Sequence, residues 1–435
     1  MAIGSRGWWR VVAMTVVAGG FAWVGWWLWG VYRDRAVLAD ARGHIEAGRF
    51  AIAAKDLTRL LHGSPNSDEV AYLLGLCEQK LDRPRAALEV WGRIPIGSRF
   101  RAPAILGRAS ILVDGGRFAD AEDLIDQALR DPEIIGFDLR RFLTPLLWHE
   151  GRVEEARRLV ETNWDELERA GDGGSSQGIE LIRLHLLMTL GKSAPERIED
   201  FLERAGGLAP EDDRVWLGKA HLAIRKGRFD EAARWLEACL DRRPRDVAVW
   251  RARLNLAVAT ARVEEAQDCA SHLPADPYRP GEVYRLAAWF AGRRGETRAE
   301  RRALEQLIAV DPEEGFAFER LAVLLEGDRE PNRASELRRR KSDLEGVLAR
   351  YKERFARDQP LRDAAEMARL AEQLGRDFEA RAFRVLAGEV REGGDRNRVA
   401  TTGKSGDSLG VARSGETLAD RLATLLTSEA STERP

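Results

Sequence analysis

WLGKAHLAIRKGRFDEAARWLEACLDRRP, residues 216–244, is the stretch that decides the fold. Trp216 returns as Trp250, Tyr284 and Phe318, and Ala232 returns as Ala266 and Glu300, both series at a spacing of 34 residues. A period of that length is the signature of stacked helix pairs. Gly227 and Gly295 stand where the first helix of a pair turns into the second, a left-handed backbone position that glycine adopts cheaply. Ala232 and Ala266 stay small where the two helices cross. Trp216, Trp250 and Leu236 supply apolar bulk that one copy cannot bury alone, so each copy depends on its neighbours. Pro244 and Pro312 close the second helix, because proline cannot continue one.

The best copy, Trp216, then Gly227-Arg228-Phe229-Asp230-Glu231-Ala232, then Pro244, resembles the tetratricopeptide repeat, W…L-G…G-x-[FY]-x-x-A…P. The resemblance implies an all-α fold, a right-handed superhelical solenoid of helix-turn-helix repeats, over residues 34–390. Counted loosely, ten units fit the frame. The first four are marked by Gly48 with Ala53, Gly75 with Ala87, Gly116 with Ala121, and Gly151 with Ala156. A degenerate fifth covers 179–210 around Gly191 and Pro195, and three well-kept copies run from Asp213 to Glu314. A ninth, around Leu321, Ala322 and Ala334, runs into a long helix, and a last one carries Gly375-Arg376 with Ala380. Divergent copies at the ends suit units that cap the stack.

Outside the repeats the chain changes character. After an N-terminal stub, 1–10, residues 11–32 carry no charge and lie between Arg10 and Arg33. At 1.5 Å per residue they reach roughly 33 Å, enough to cross a bilayer. Trp8 and Trp9 at one end and Trp26, Trp27 and Trp29 near the other suit the headgroup zone. The alternative is a cleaved signal peptide, but the apolar run is too long and the one small-x-small site, Ala39-Asp40-Ala41, lies inside a helical pattern. The reading is an uncleaved transmembrane helix in a bacterial inner membrane. Flanking arginines barely discriminate orientation; the short stub favours repeats on the extracytoplasmic side.

Two segments interrupt the frame. Residues 171–178, GDGGSSQG, read as a flexible loop separating an N-terminal array, 34–170, from a C-terminal array, 179–391. In the second array a long helix is expected over 333–357, where Leu337, Leu344, Leu348, Tyr351 and Phe355 form an apolar stripe. That stripe implies packing on the last repeat rather than a coiled coil, which needs several sustained heptads. From 392 to 435 the composition predicts a disordered tail. Within it Leu418, Leu422, Leu425 and Leu426 share one face of a short amphipathic helix, open to docking either on a partner or back on the solenoid.

Composition narrows function mainly by exclusion. A net charge of −2 with 32% charged residues describes a solvated surface and gives no support to general nucleic-acid binding. Acidic residues surround the basic run Arg338-Arg339-Arg340-Lys341. Cys77, Cys239 and Cys269 form no CxxC pair, so neither a redox motif nor a zinc knuckle is available. Gly191-Lys192-Ser193 and Gly403-Lys404-Ser405 lack the upstream glycine of a phosphate-binding loop, Leu186 and Arg398 standing in its place. His149-Glu150 is followed by Val153 where a zinc-binding helix needs histidine. The six histidines are scattered, and no nucleophile elbow occurs. No catalytic, metal or cofactor set emerges, and no small-molecule substrate is expected.

In the tetratricopeptide family the first helix of each unit lines a concave groove through positions 2, 5, 9, 12 and 13 of the frame. Carried onto the three well-kept copies, that resemblance implies a peptide groove of Arg214, His221 and Arg225, then Arg251 and Asn255, then Glu282, Arg285, Trp289 and Arg293. Arginines there could hold carboxylates while the indole takes an apolar anchor; alternatively they merely solvate the helix. The expectation is a non-catalytic membrane-tethered scaffold or adaptor for protein or peptide partners. An accessory subunit that positions or regulates an enzyme encoded nearby is the alternative.

Overall fold

A computed structural model describes residues 32–63, 67–190, 195–276, 278–388 and 415–427. Among them all regular structure is helical, apart from one isolated bridge between Pro274 and Thr417. The expected membrane span, 11–32, lies outside the described residues except for Tyr32, as do the stub 1–10 and most of the tail. No helix of the described residues is long and apolar enough to cross a membrane. The chain forms two compact units, Met1–Leu139 and Arg140–Pro435.

The first unit holds α1 (32–46), α2 (Phe50–Gly63), α3 (Asp68–Lys80), α4 (Pro84–Gly92), α5 (Arg101–Asp114) and α6 (Phe118–Leu129). Its frame alanines Ala53, Ala87 and Ala121 are fully buried. Trp91 of α4 fills the centre, equally buried, and its indole N–H donates to the Tyr72 carbonyl at 3.0 Å. Gly75 and Gly107 make room for it. A Cβ on Gly107 would lie 2.5 Å from the ring, and one on Gly75 would overlap it.

The second unit contains most of α7 (Phe137–His149), then α8 (Val153–Ala170), α9 (Ser176–Thr189), α10 (Pro195–Leu208), α11 (Asp213–Arg225), α12 (Phe229–Arg242), α13 (Val247–Ala259) and α14 (Val263–Ser271). It continues with α15 (Pro280–Arg294), α16 (Thr297–Val310), α17 (Gly315–Gly327), α18 (Pro331–Ala356), α19 (Ala364–Gln373), α20 (Asp377–Leu386) and α21 (Leu418–Thr427). Proline and tryptophan of neighbouring copies are joined by one hydrogen bond. Trp216 Nε1 donates to the Pro210 carbonyl at 2.8 Å, and Trp250 Nε1 to the Pro244 carbonyl at 2.9 Å. Between each pair an aspartate caps the inner helix: Asp212 accepts from the Arg214 and Val215 amides, and Asp246 from those of Ala248 and Val249.

The turn inside each copy keeps its shape even where glycine is missing. Gly227 has φ +71°, with Arg228 N donating to the Ala223 carbonyl at 2.8 Å. One copy on, Ala261 takes φ +59° and Arg262 N reaches the Ala257 carbonyl at 2.9 Å. Packing of the two helices dictates the turn, and alanine accepts a strained backbone to make it.

Residues 171–178 do not form a flexible divider. Gly171 ends α8 in the left-handed region, Ser175 caps α9 by accepting from the Gly178 amide, and Gly173 and Gly178 are buried. The glycines are there for close packing: a Cβ on Gly173 would sit 2.8 Å from Val385 of α20. The division of the chain falls at Leu139 and Arg140 instead.

That contact belongs to a closure of the second unit on itself, with α20 packed on α9. Arg381 bonds Asp165 at 2.6 Å, and the His185 and Phe378 rings lie 4.6 Å apart. At the centre of the joint Glu379 accepts from the Tyr351 hydroxyl at 2.6 Å and from Arg376 at 3.0 and 3.1 Å. His185 Nδ1 stands 3.3 Å from the same carboxylate, and its Nε2 3.5 Å from Glu161. Burial alone would raise the Glu379 carboxyl, but His185, Arg376 and Tyr351 outweigh it and hold it at about 2. Helix α18 starts two residues before and ends one residue before the expected 333–357, and it packs on α17 and α19, burying Val347 and Tyr351. The leucine helix of the tail, α21, docks back on the array against α14 and α15, with Leu418 and Leu422 buried in the core there.

A candidate partner-binding groove

Inner helices α11, α13, α15 and α17 present one face to a cavity of about 1170 Å³, and the first residues of α8, with Gly151, form its far rim. His221, Arg251, Asn255, Glu282, Arg285, Trp289 and Arg293 line it. Two of the expected residues do not. Arg214 is buried and pairs with Asp246 at 2.7 Å, and Arg225 is exposed at the end of α11, away from the cavity.

The arginines on this wall are largely satisfied by the protein itself. Arg251 bonds Glu282 and lies 4.5 Å above the Tyr278 ring, while Arg285 pairs with Glu314 at 3.0 Å. Arg320 of α17 grips Glu300 through two bonds, at 2.6 and 2.8 Å. Glu300 occupies a frame position that is alanine in the two preceding copies, and Gly292 opposite leaves it space, since a Cβ there would stand 2.7 Å from its carboxylate. At the rim Arg152 pairs with Glu150 at 3.0 Å and Glu155 at 2.7 Å. Burial, and then the charges of Arg152 and Arg251, pull His221 down to about 4, so it is a neutral ring at physiological pH. Burial would raise Glu154 and Glu155; Arg157 acting on the first and Arg152 on the second overcome it, and both stay below the usual carboxylate range.

What remains unpartnered is chiefly apolar. Phe316 and Val323 are 48% and 49% exposed although both face the cavity, and Leu254, Val258, Leu286 and Trp289 continue their strip across α13 and α15. Arg293 lies over the Trp289 ring at 5.8 Å and has no ion pair among the described residues. Asn255 is exposed and, among the described residues, makes no hydrogen bond through its side chain. The groove therefore offers an apolar floor with one cation and one amide beside it, rather than a bank of free arginines.

Phe316, Glu319 and Val323 fall at positions 2, 5 and 9 of the next 34-residue frame. The repeat would have named them had it been carried one copy further. Tyr278 follows from no repeat position, and the α8 rim, although it begins at the frame glycine Gly151, belongs to a second helix that the frame does not assign to the groove. One sits in an irregular connection, and the other reaches the groove only through tertiary packing.

Two tetratricopeptide-repeat family models match, one over residues 38–93 and one over 190–256. The chain carries tetratricopeptide repeats in these two segments. Proteins of this family are in general non-catalytic scaffolds that mediate protein–protein interaction. Among solved structures, a tetratricopeptide repeat protein from Parabacteroides merdae is similar at 14% identity, covering 67% of this chain and 98% of that one, with a TM-score of 0.27. Yeast Tom70 is similar at 13% identity over 83% of this chain and 99% of that one, at a TM-score of 0.26. The APC/C hetero-tetramer Cut9-Hcn1 gives 15% identity, 82% and 81% coverage, and 0.29. No curated protein matches the sequence. The repeat assignment rests on the two family models and on the 34-residue frame.

Proposed function

We propose that this tetratricopeptide-repeat protein is a non-catalytic scaffold that captures a segment of a protein partner in the groove of its second unit. The apolar lining from Leu254 to Val323 of a cavity of about 1170 Å³, in which Phe316 and Val323 are about half exposed, carries this reading. The cavity exceeds the roughly 300–1000 Å³ of small-molecule sites, and large unpartnered apolar side chains in a concavity mark interaction surfaces. Apolar side chains of the partner occupy the floor between Trp289 and Phe316, and Asn255 engages its main chain. Photo-crosslinking residues introduced at Trp289 and Phe316 in cells test this against one at Arg234, which is exposed on α12. Discrete adducts from the first two positions alone are expected; equal labelling from all three would reject the groove as the capture site.

The scaffold is tethered to the cytoplasmic membrane of a bacterium by residues 11–32, with its repeats outside. The uncharged run between Arg10 and Arg33 supports this placement. A reporter active only outside the cytoplasm, fused after Pro435, is expected to be active. Activity of a cytoplasm-only reporter instead would reverse the orientation.

A further inference from the structure

One copy in the second unit is incomplete. Helix α14 has 9 residues where its counterparts α12 and α16 have 14. The shortened copy leaves apolar side chains of α14 and α15, among them Cys269 and Val283, to be covered by another segment. Helix α21 covers them, and Leu418 and Leu422 share a core with Cys269, Leu273, Tyr278 and Val283. Residues just before α21 pair with the chain just after α14. Ala275 N donates to the Glu416 carbonyl at 2.9 Å, and Leu418 N donates to the Leu273 carbonyl at 2.8 Å. The start of α21 is capped from within: the Thr417 hydroxyl donates to Asp420 at 2.7 Å, and the Asp420 amide donates back to Thr417 at 3.2 Å. A helix of 10 residues is marginal alone in water, so this segment is helical because it is docked.

The corner it clamps leads into the groove. Tyr278, in the same core, carries the Arg251 guanidinium over its ring, and both line the cavity. Arg279 bonds Glu161 at 2.6 Å, and Glu282 caps α15 while holding Arg251.

We propose that the notch beside α14 is a docking site for an amphipathic leucine helix, that its resident occupant is segment 415–427 of the same chain, and that its occupancy fixes the Tyr278 to Glu282 wall of the groove. The coupling to the groove rests on the partner-capture reading; the docking site does not. Linkage makes the effect reciprocal, so a groove ligand that requires this wall also favours the docked tail.

Hydrogen–deuterium exchange on the full chain tests the proposal with no ligand. In the variant Leu418→Asp/Leu422→Asp, peptides covering 272–290 are expected to exchange faster, on the order of tenfold, while those covering 213–246 are unchanged. A synthetic peptide of residues 415–427, added in trans, restores the protection. Should the double variant not fold, Arg421→Ala, which removes the side-chain bond to the Ala275 carbonyl, gives the same pattern more weakly. A folded variant whose loss of protection stops at 415–427 overturns the role in the groove wall. Protection of 272–290 that rises with protein concentration assigns the helix to a second copy and overturns the resident occupant. Failure of the crosslinks at Trp289 alongside the expected exchange pattern sinks partner capture and leaves the docking site standing.

Discussion

Arg214 of α11 reaches 2.7 Å to Asp246, the carboxylate that caps α13 in the next copy. Both side chains are nearly buried, at 8% and 11% exposure. A residue that the repeat frame assigns to the groove is thus a rivet between adjacent units. Removing one partner of such a pair strands the other charge, so Arg214→Ala is expected to cost about 3 kcal/mol or more. Chemical denaturation of the purified protein measures it, and a change under about 1 kcal/mol would contradict the pairing's structural role.

Glu300 and Arg320 make an asymmetric pair, because the carboxylate is 8% exposed and the guanidinium 46%. Arg320→Ala leaves a buried carboxylate without its partner and is expected to destabilise the second unit by about 2 kcal/mol. Glu300→Ala restores the alanine of the frame, leaves only a solvated arginine behind, and should come out near neutral. Equal losses in the two variants would show that the packing of Glu300, rather than its charge, matters.

The strained turn at Ala261 offers a gain. Ala261→Gly removes a left-handed alanine and is expected to stabilise by about 1 kcal/mol. The mirror change, Gly227→Ala, costs a similar amount through the backbone alone, since nothing lies within 4 Å of the added methyl. Thermal melting of the pair should move the midpoint in opposite directions.

Acid should loosen the joint between α9 and α20. The Glu379 carboxyl is held at about 2 in the folded protein, below its ordinary value near 4.5. A depressed carboxyl contributes stability that is complete above the unfolded value, and it is lost as pH falls from about 4.5 toward 2. Urea midpoints measured across that window should fall more steeply for the native chain than for Glu379→Gln. Parallel profiles would place the acid sensitivity elsewhere.

The repeat was legible because its cues are local. Proline, tryptophan, glycine and alanine recur at fixed offsets, and the Trp216 and Trp250 bonds to proline carbonyls give two of those offsets a common cause. Most of the groove followed from the same frame. Arg214 did not, because position alone cannot say whether an arginine meets water or the next copy's capping aspartate. Residues 171–178 misled for a related reason: a glycine-rich stretch looks the same whether it is loose or packed under Val385. Tyr278 and the seating of α21 depend on a shortened helix and on contacts between segments far apart in sequence.

A stack of repeats is ordinarily a line, in which each member answers only to its neighbours and copies can be added or lost at an end. Where α20 meets α9, the second unit joins that line into a circuit. Its number of copies is then fixed by geometry, because removing one would pull Glu379 away from His185 rather than merely shorten the array. Long-range closure of this kind also defers the last favourable contacts until nearly everything else is in place. The second unit should therefore melt as one body and evolve by substitution within copies rather than by gaining or losing them.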